Sequence, residues 1–249
     1  ETGMSIPKII HYCWFGGGAI SAESQKCMES WKKYCPDYKI IEWNEQNFDI
    51  STNRYAQQAY EAKKYAFVSD YVRLAVLYEY GGIYLDTDVE LVRPLDELLE
   101  LPGFMGFQTN NEVATGLGFG ARKGNSVVQA LLRDYDALDF LKADGSADLT
   151  PCPERNTRVL QALGVRKDGT RQSIAEMEIF PAEYFCPMDF YSRELRVTPK
   201  TYSIHRYAES WKPKPSAVSR ILQRLLKKHY YTWYCPLRGR IEGRLRKRT

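Results

Sequence analysis

The stretch from residue 77 to residue 92, LYEYGGIYLDTDVELV, decides the fold of this chain. Its glycine pair at 81–82 ends a helical pattern, and the β-branched and aromatic run at 83–85 is typical of a short buried strand. Asp86 and Asp88 follow that strand directly. Because ligands of open α/β sheets bind at the carboxyl ends of the strands, the acidic pair is predicted to lie at a ligand-binding edge.

The sequence before this stretch predicts an α/β fold that begins with a parallel βαβ unit. Residues 6–15 are apolar, β-branched and aromatic, residues 21–34 show helical spacing opened by Ser21, and residues 38–43 are again strand-like. A strand, a helix and a strand within about 40 residues make such a unit.

The remaining elements are predicted from local pattern alone. Residues 55–80 favour helix, with a break near 66–69 where Ser69 is placed to cap the second segment. The other predicted elements are strands and loops over 104–122, a helix over 127–135, a loop over 143–157, a helix over 157–163 and a strand within 171–180.

Composition indicates a globular domain. The chain has 249 residues, of which 44% are apolar and 27% charged, and this excludes a disordered or fibrous protein. We predict one domain, large enough to be a catalytic domain, over 4–215 and an extension over 216–249. Residues 1–3, before Met4, are interpreted as the remnant of an expression tag. No run approaches the length of a membrane span, no signal-peptide layout is present, and the six cysteines form no CxxC pair, so we expect a reduced, cytoplasmic protein.

Positive charge is concentrated at the C-terminal end. Residues 212–249 hold 12 Lys and Arg against one acidic residue, whereas the rest of the chain holds 23 against 30. Apolar residues recur there at helical spacing, which predicts a basic amphipathic helix lying on an anionic membrane surface. The alternative is that the apolar stripe packs on the domain while the charges are solvated. Nucleic acid is not expected as a partner, because no recognition motif precedes the extension.

The acidic pair is a candidate site for a divalent cation. Asp86 and Asp88 lie two residues apart, so they converge on one ligand only if the strand bends into a turn between them. Carboxylate oxygens suit Mg²⁺ or Mn²⁺, which bind substrate phosphates through one or two such ligands. Asp70 and Arg73 share one face of the preceding helix. The alternatives are a solvated turn for the first pair and a local salt bridge for the second.

Two blocks, AFVSDYVRL at 66–74 and LYEYGGIYLDTD at 77–88, resemble the signature of family 32 glycosyltransferases. These include bacterial capsule enzymes and yeast initiating α-1,6-mannosyltransferases, and the signature also resembles the catalytic domain of the large clostridial glucosylating toxins. IIHYCWFGG at 9–17 is similar to the family's first strand, and HRYAESW at 205–211 to its closing motif. The resemblance implies a GT-A type, Rossmann-like nucleotide-sugar-binding domain with a mixed central sheet, here with a helical C-terminal extension.

The resemblance also implies roles for individual residues. It implies that four residues act in catalysis, namely Asp70, Arg73, Asp86 and Asp88. It also implies that Asp88 and His205 bind the metal. Trp14 is implied to stack on the donor base. On residue type alone, Trp14 on a buried strand would more often be a core residue, and His205 would more often be a satisfied surface histidine. The positions implied to contact the donor are Cys13, Trp14, Ser69, Asp70, Arg73, Tyr84, Asp86, Ser210 and Trp211.

The implied activity is metal-dependent, retaining transfer of a hexose from a nucleotide diphosphate sugar. The resemblance favours a UDP-sugar donor, Mn²⁺ or Mg²⁺ as cofactor, and a glycan or lipid-linked glycan acceptor in surface polysaccharide synthesis. The protein would then be peripheral on the inner face of the plasma membrane. Three alternatives stay open: a GDP-mannose-dependent mannosyltransferase, a phosphohydrolase with an aspartyl nucleophile, because LDTDV superficially resembles that motif, and a non-catalytic nucleotide-sugar-binding protein.

Overall fold

The computed structural model describes residues 5–190 and 192–208. The chain divides into two compact units. The first runs to Met188 and resumes over Arg196–Trp211, and it holds every element described below. The second comprises Asp189–Leu195 and Lys212–Thr249, so the predicted extension over 216–249 lies outside the described residues.

The first three elements confirm the predicted βαβ unit. β1 (Ile9–Cys13), α1 (Ala22–Tyr34) and β2 (Lys39–Trp43) follow in order, and β1 pairs with β2 in parallel. α1 begins after Ser21, whose hydroxyl oxygen accepts a hydrogen bond from the Ser24 amide (3.1 Å), as expected of an N-cap.

The helical stretch before the glycine pair is broken earlier than predicted. α2 (Arg54–Glu61) and α3 (Tyr65–Tyr80) are separated at residues 62–64, where Lys63 has a φ of 56°. The prediction that Ser69 caps the second helix is therefore wrong. Its hydroxyl donates to the Tyr65 carbonyl (3.0 Å) inside α3, because a helical Ser can satisfy itself on the preceding turn.

Glycine at position 81 is required by both conformation and space. α3 ends there with a φ of 66°, in the left-handed region that favours glycine. A Cβ atom on Gly81 would lie 2.8 Å from the backbone nitrogen of Lys123. The chain therefore turns directly from α3 into β3 (Gly82–Tyr84), which directs the end of β3 toward the site.

The second half contributes most of the strands. The predicted loop over 143–157 is wrong at its end, because a helix already begins at Cys152, where Pro153 occupies the first turn and its missing N–H costs nothing. The strand predicted within 171–180 is a hairpin. The elements are β4 (Val89–Leu91), β5 (Gly103–Phe107), β6 (Val113–Ala114), β7 (Phe119–Ala121), α4 (Ser126–Asp136), α5 (Cys152–Ala162), β8 (Gln172–Ile174), β9 (Met177–Phe180), α6 (Ala182–Phe185) and β10 (Ser203–His205).

The central sheet is mixed, which confirms the predicted fold class. Among the described residues its strand order is β2-β1-β3-β7-β5-β9-β8, with β6 added beside β5. β1 is parallel to both its neighbours and β5 is parallel to β9, whereas β7 runs antiparallel to β3 and β5. A separate antiparallel pair, β4 with β10, lies beyond the end of β3.

The core encloses α3, which explains why its polar residues matter. Val68, Val72 and Leu74 are fully buried, yet Asp70 and Arg73 of the same helix are also buried. A buried charged side chain is retained only where it is paired. Within residues 5–190 and 192–208, no helix combines the length and apolar character needed to cross a bilayer.

Candidate active site

A tight turn after β3 brings the two aspartates together, as the sequence predicted. β3 ends at Tyr84, and the Val89 amide donates to the Asp86 carbonyl (3.0 Å), which closes a turn over residues 86–89. The Asp86 amide donates to the Gly116 carbonyl (3.1 Å) beside β7, so the turn is attached to the neighbouring part of the sheet. Asp86 and Asp88 therefore face a common space instead of opposite faces of a strand.

His205 reaches the turn through strand pairing. β10 lies antiparallel to β4 in a register that places His205 opposite Val89, the residue after Asp88. The Arg206 amide donates to the Asp88 carbonyl (2.9 Å) and continues this pairing. The ligand atoms of Asp86, Asp88 and His205 all lie within 4.8 Å of one another.

The donor set fits a divalent cation. His205 Nε2 and Asp88 Oδ1 are 3.2 Å apart, close to the roughly 3 Å between adjacent ligand atoms of an octahedral cation with bonds of about 2.1 Å. The second Asp88 oxygen, Oδ2, accepts from the Ala208 amide (2.8 Å), which orients Oδ1 toward the histidine. Carboxylate oxygens suit cations such as Mg²⁺ and Mn²⁺ and an imidazole suits transition-metal ions, so this donor set fits a divalent cation.

Asp88 and His205 form an ion pair that a cation can replace. Burial opposes ionisation of Asp88, but the adjacent His205 ring and the Ala208 amide lower the pKa of its carboxyl to about 2. Burial also disfavours a charged His205, yet the Asp88 carboxylate raises the pKa of the imidazole above its ordinary value. A cation bound by Asp88 Oδ1 and His205 Nε2 would require a neutral imidazole, so its binding there would release the imidazole proton.

Arg73 joins the two other predicted carboxylates. Its Nη2 lies 3.1 Å from Asp70 Oδ1 and 3.0 Å from Asp86 Oδ1, and its Nε donates to the Ser69 carbonyl (3.1 Å). The Tyr84 hydroxyl also donates to Asp86 Oδ1 (3.1 Å). Asp86 is thus held from two sides, and the predicted polar pair on α3 is connected directly to the acidic turn.

Burial changes the ionisation of this group. Burial raises the pKa of the Asp70 carboxyl to about 6, although the neighbouring Arg73 opposes that rise. For Arg73, burial acts against the charge, but Asp86, Tyr84 and Asp70 raise its pKa, so the guanidinium stays positively charged. The site therefore keeps a fixed positive charge next to a carboxyl group that titrates close to neutrality.

Three of the predicted donor-contact residues lie beneath the site. Cys13 and Tyr84 are 7% and 1% exposed, and burial raises the pKa of the Cys13 thiol to about 12. Ser69 contributes its carbonyl to Arg73 while its hydroxyl is bonded within α3. Cys13 and Tyr84 are therefore interior side chains, of which Tyr84 bonds Asp86, whereas Ser69 is partly exposed.

Trp14, by contrast, is partly exposed at the end of β1. Its backbone amide donates to the Trp43 carbonyl (2.9 Å), and its indole N–H donates to the Gly18 carbonyl in the glycine loop. Base stacking by Trp14 stays a prediction. Ser210 and Trp211, predicted to close the site, lie outside the described residues.

Sequence reasoning missed the residues that pack on Arg73 and Asp86 from the far side. Gly116 lies against Asp86, Thr115 and Cys152 contact Arg73, and Asn156 of α5 donates to Thr115. A signal was present in the glycine-rich run at 116–120, where a small residue is required, but pattern alone does not say which glycine faces the carboxylate.

Comparison with known proteins finds similarity to glycosyltransferases. Residues 21–104 match the family described as "Glycosyltransferase sugar-binding region containing DXD motif". The chain is 29% identical over 155 residues to inositol phosphoceramide mannosyltransferase 3 of Schizosaccharomyces pombe, with 56% of this chain and 40% of the relative covered. It is 28% identical over 148 residues to human alpha-1,4-N-acetylglucosaminyltransferase, with 59% of this chain and 38% of the relative covered.

The matches are partial in extent. The chain spans about two fifths of the length of each of these curated relatives. Among solved structures, PaToxG glycosyltransferase is similar with a TM-score of 0.47 and 21% identity, over 64% of this chain and 69% of that chain.

Proposed function

We propose that this chain is a glycosyltransferase of the DXD family that transfers a hexose from a nucleotide diphosphate sugar with a divalent cation bound by Asp88 and His205. The observation that carries the proposal is the position of Asp86. It lies beside the Asp88–His205 pair and is also bonded to Arg73, so cation ligands and a fixed positive charge face one space. A sugar diphosphate needs both.

Each residue has a chemical task in this proposal. A bound Mn²⁺ or Mg²⁺ would act as a Lewis acid toward the diphosphate. Asp88 and His205 hold it, Arg73 adds a positive charge near the phosphates, and Asp86 orients the ribose and sugar between them. Asp70, which is paired with Arg73, accepts a hydrogen bond from a sugar hydroxyl in this proposal.

We propose that transfer retains the anomeric configuration. The bond from the anomeric carbon to the β-phosphate oxygen breaks, and that oxygen keeps the electron pair. The acceptor hydroxyl forms the new bond on the same face, and its proton passes to the departing diphosphate oxygen. Such a step depends on positioning more than on a strong base, which agrees with a site held by paired side chains.

The identity of the sugar donor is tested by how strongly each candidate stabilises the folded protein. The two relatives differ in the sugar that their names give, since one is named a mannosyltransferase and the other an N-acetylglucosaminyltransferase. Purified protein with Mn²⁺ is screened by thermal shift against UDP-glucose, UDP-galactose, their N-acetyl forms and GDP-mannose. A ligand at 100 times its Kd stabilises a fold by about 2.7 kcal/mol. No stabilisation and no nucleotide release with any donor would contradict the proposal.

A mannosyl donor is the second candidate, because the most extended curated match named above is a mannosyltransferase. The base distinguishes the two donors. An increase in the thermal midpoint with GDP-mannose and with GDP, but not with UDP, would favour the mannosyl donor. Release of inorganic phosphate with an aspartyl-phosphate intermediate would instead indicate a phosphohydrolase.

Trp14→Ala is expected to weaken donor binding in a folded protein. Trp14 is partly exposed beside the glycine loop, and stacking of a base on an aromatic ring contributes about 1–3 kcal/mol. The donor KM should therefore rise roughly tenfold or more while kcat changes little. Steady-state kinetics with varied donor measure this, and circular dichroism checks the fold. A large loss of thermal stability with an unchanged donor KM would place Trp14 in the core instead.

The acceptor is proposed to be a glycan or lipid-linked glycan at an anionic membrane surface. Support comes from the basic amphipathic sequence at 216–249, in which each basic residue near such a surface contributes about 1 kcal/mol. Replacing Arg220, Arg224, Lys227 and Lys228 together by glutamine should abolish co-sedimentation with phosphatidylserine vesicles and leave donor hydrolysis unchanged. Equal sedimentation of the two full-length proteins would contradict membrane binding.

A further inference from the structure

Two buried polar side chains, Thr115 and Cys152, meet the guanidinium of Arg73, and a third, Asn156, binds both of them. Arg73 Nη1 lies 3.4 Å from Thr115 Oγ1 and 3.9 Å from Cys152 Sγ. The Asn156 amide nitrogen donates to Thr115 Oγ1 and to Cys152 Sγ, both at 3.1 Å. Thr115, Cys152 and Asn156 are at most 7% exposed, so this Thr115 cluster, as we call these three residues, is part of the interior.

The cluster completes the hydrogen bonding of a rigid cation. The donors of a guanidinium lie in one plane. When two of its nitrogens are bonded, a bond to the third still has to fix the tilt of that plane. Nε is bonded to the Ser69 carbonyl and Nη2 to both carboxylates. Nη1 is the remaining nitrogen, and the partners described above for it, Thr115 and Cys152, belong to the cluster.

The cluster also brings a distant part of the chain to the site. Thr115 follows β6, and Cys152 and Asn156 lie one turn apart at the start of α5. Burial raises the pKa of the Cys152 thiol to about 12, so the cluster is uncharged. The cluster therefore accepts a hydrogen bond from Arg73 but carries no negative charge that would compete with Asp70 and Asp86 for the charge of the guanidinium.

We propose that Thr115, oriented by Asn156, is a positioning residue that holds Arg73 in the plane in which it reaches Asp70 and Asp86. The expected effect on kcat rests on the proposed function. The orientation of the Arg73 side chain rests on the hydrogen bonds alone. Without the Thr115 hydroxyl the guanidinium tilts, and both carboxylates lose the shared Nη2 donor. The reacting sugar and the phosphates then lose their alignment, although the donor still binds through its base.

The kinetic test compares two substitutions at one position. Thr115→Val removes the hydroxyl and keeps the shape, whereas Thr115→Ser keeps the hydroxyl. Valine is expected to lower kcat about tenfold, the effect of one lost hydrogen bond to a charged group, with donor KM within about twofold. Serine should restore most of kcat. Adding Asn156→Leu to the valine variant should lower kcat little further, because Asn156 acts through Thr115.

Thr157→Val is the matched control. Thr157, on α5, is likewise a buried threonine, but its hydroxyl accepts from the Val113 amide (2.8 Å) and donates to the Pro153 carbonyl (2.6 Å). It is expected to lower the thermal midpoint at least as much as Thr115→Val while kcat stays within about twofold. Equal kcat losses in the two valine variants would overturn a positioning role, because a general loss of packing would explain both.

A second measurement needs no substrate. The Nε–Hε NMR signal of Arg73, assigned by its absence in Arg73→Lys, reports the bond to the Ser69 carbonyl. Thr115→Val should shift this signal and speed its exchange with water, whereas Thr157→Val should not. An unchanged signal in Thr115→Val overturns the inference whatever the kinetics. A changed signal in a protein that uses no sugar nucleotide supports the positioning and contradicts the proposed function instead.

Discussion

Replacing Asp88 by alanine is expected to abolish cation-dependent donor binding and to lower sugar transfer by roughly a thousandfold, on the order of 4 kcal/mol in the activation free energy. Asp88 offers Oδ1 at 3.2 Å from His205 Nε2, and its other oxygen is already bound to the Ala208 amide. Without Asp88, the proposed cation is left with His205 and the more distant Asp86.

The fold should survive this substitution. Asp88→Ala removes the partner of His205, and burial then lowers the pKa of the imidazole, so His205 becomes neutral and no uncompensated charge remains. Far-UV circular dichroism should be unchanged. Isothermal titration with Mn²⁺, with and without donor, measures the lost binding separately from turnover.

Glu90→Ala is the matched control for Asp88→Ala. Glu90 is the next acidic residue along the chain, on β4, and its carboxylate pairs with Arg206 at the surface. An exposed ion pair contributes about 1 kcal/mol or less, so Mn²⁺ affinity and turnover should stay within about twofold. If Glu90→Ala and Asp88→Ala lose activity alike, the loss comes from disrupted pairing of β4 with β10, and the cation assignment is wrong.

The local part of the site was predictable from the sequence because its signals are local. Gly81, with its φ of 66°, ends α3 as the glycine pair predicted, and the bend between Asp86 and Asp88 follows from a strand that ends at residue 84. Ser69 shows the limit of such signals. Serine is a residue type that favours a helix N-cap, but within a helix its hydroxyl can instead bond the preceding turn. Tertiary packing decides which of the two occurs.

The long-range part of the site was predictable only through resemblance. Nothing in the spacing of His205 and Asp88 along the chain indicates that they meet, since the pairing of β10 with β4 joins them across more than a hundred residues. The Thr115 cluster was missed for the same reason. Thr115 and Asn156 are ordinary polar residues in sequence, and their importance comes from lying around a guanidinium carried by α3.

Gly116→Ala is expected to inactivate the protein at little cost in stability. A Cβ atom at this position would overlap Asp86 Oδ2 and would lie 2.8 Å from Asp86 Cγ and 3.3 Å from Arg73 Nη1. The Asp86 backbone is held by the Gly116 carbonyl itself, so the strain falls on the side chain. Asp86 must rotate away from Arg73 and Tyr84, and kcat should fall by about a hundredfold, as when one preorganised polar contact is lost.

Gly103→Ala separates this effect from simple overpacking. Its Cβ atom would meet the end of the flexible Met177 side chain at 2.8 Å and the Glu176 carbonyl at 2.9 Å, within the same sheet. It should therefore destabilise the fold by about 1–3 kcal/mol and leave kcat near the wild-type value below the thermal midpoint. Gly116→Ala should show the opposite pattern, and thermal melts with steady-state kinetics on both variants measure it.

A double substitution identifies Asp86 as the group through which Gly116 acts. If the added methyl group harms the site only by displacing the Asp86 carboxylate, Gly116→Ala should have no further effect on kcat once Asp86 is alanine. Residues that act through one group are non-additive in this way, whereas independent sites add. Wild-type kcat in Gly116→Ala would show that the site tolerates a displaced Asp86, and full additivity would show that Gly116 serves the site through another contact, such as the nearby Arg73 Nη1.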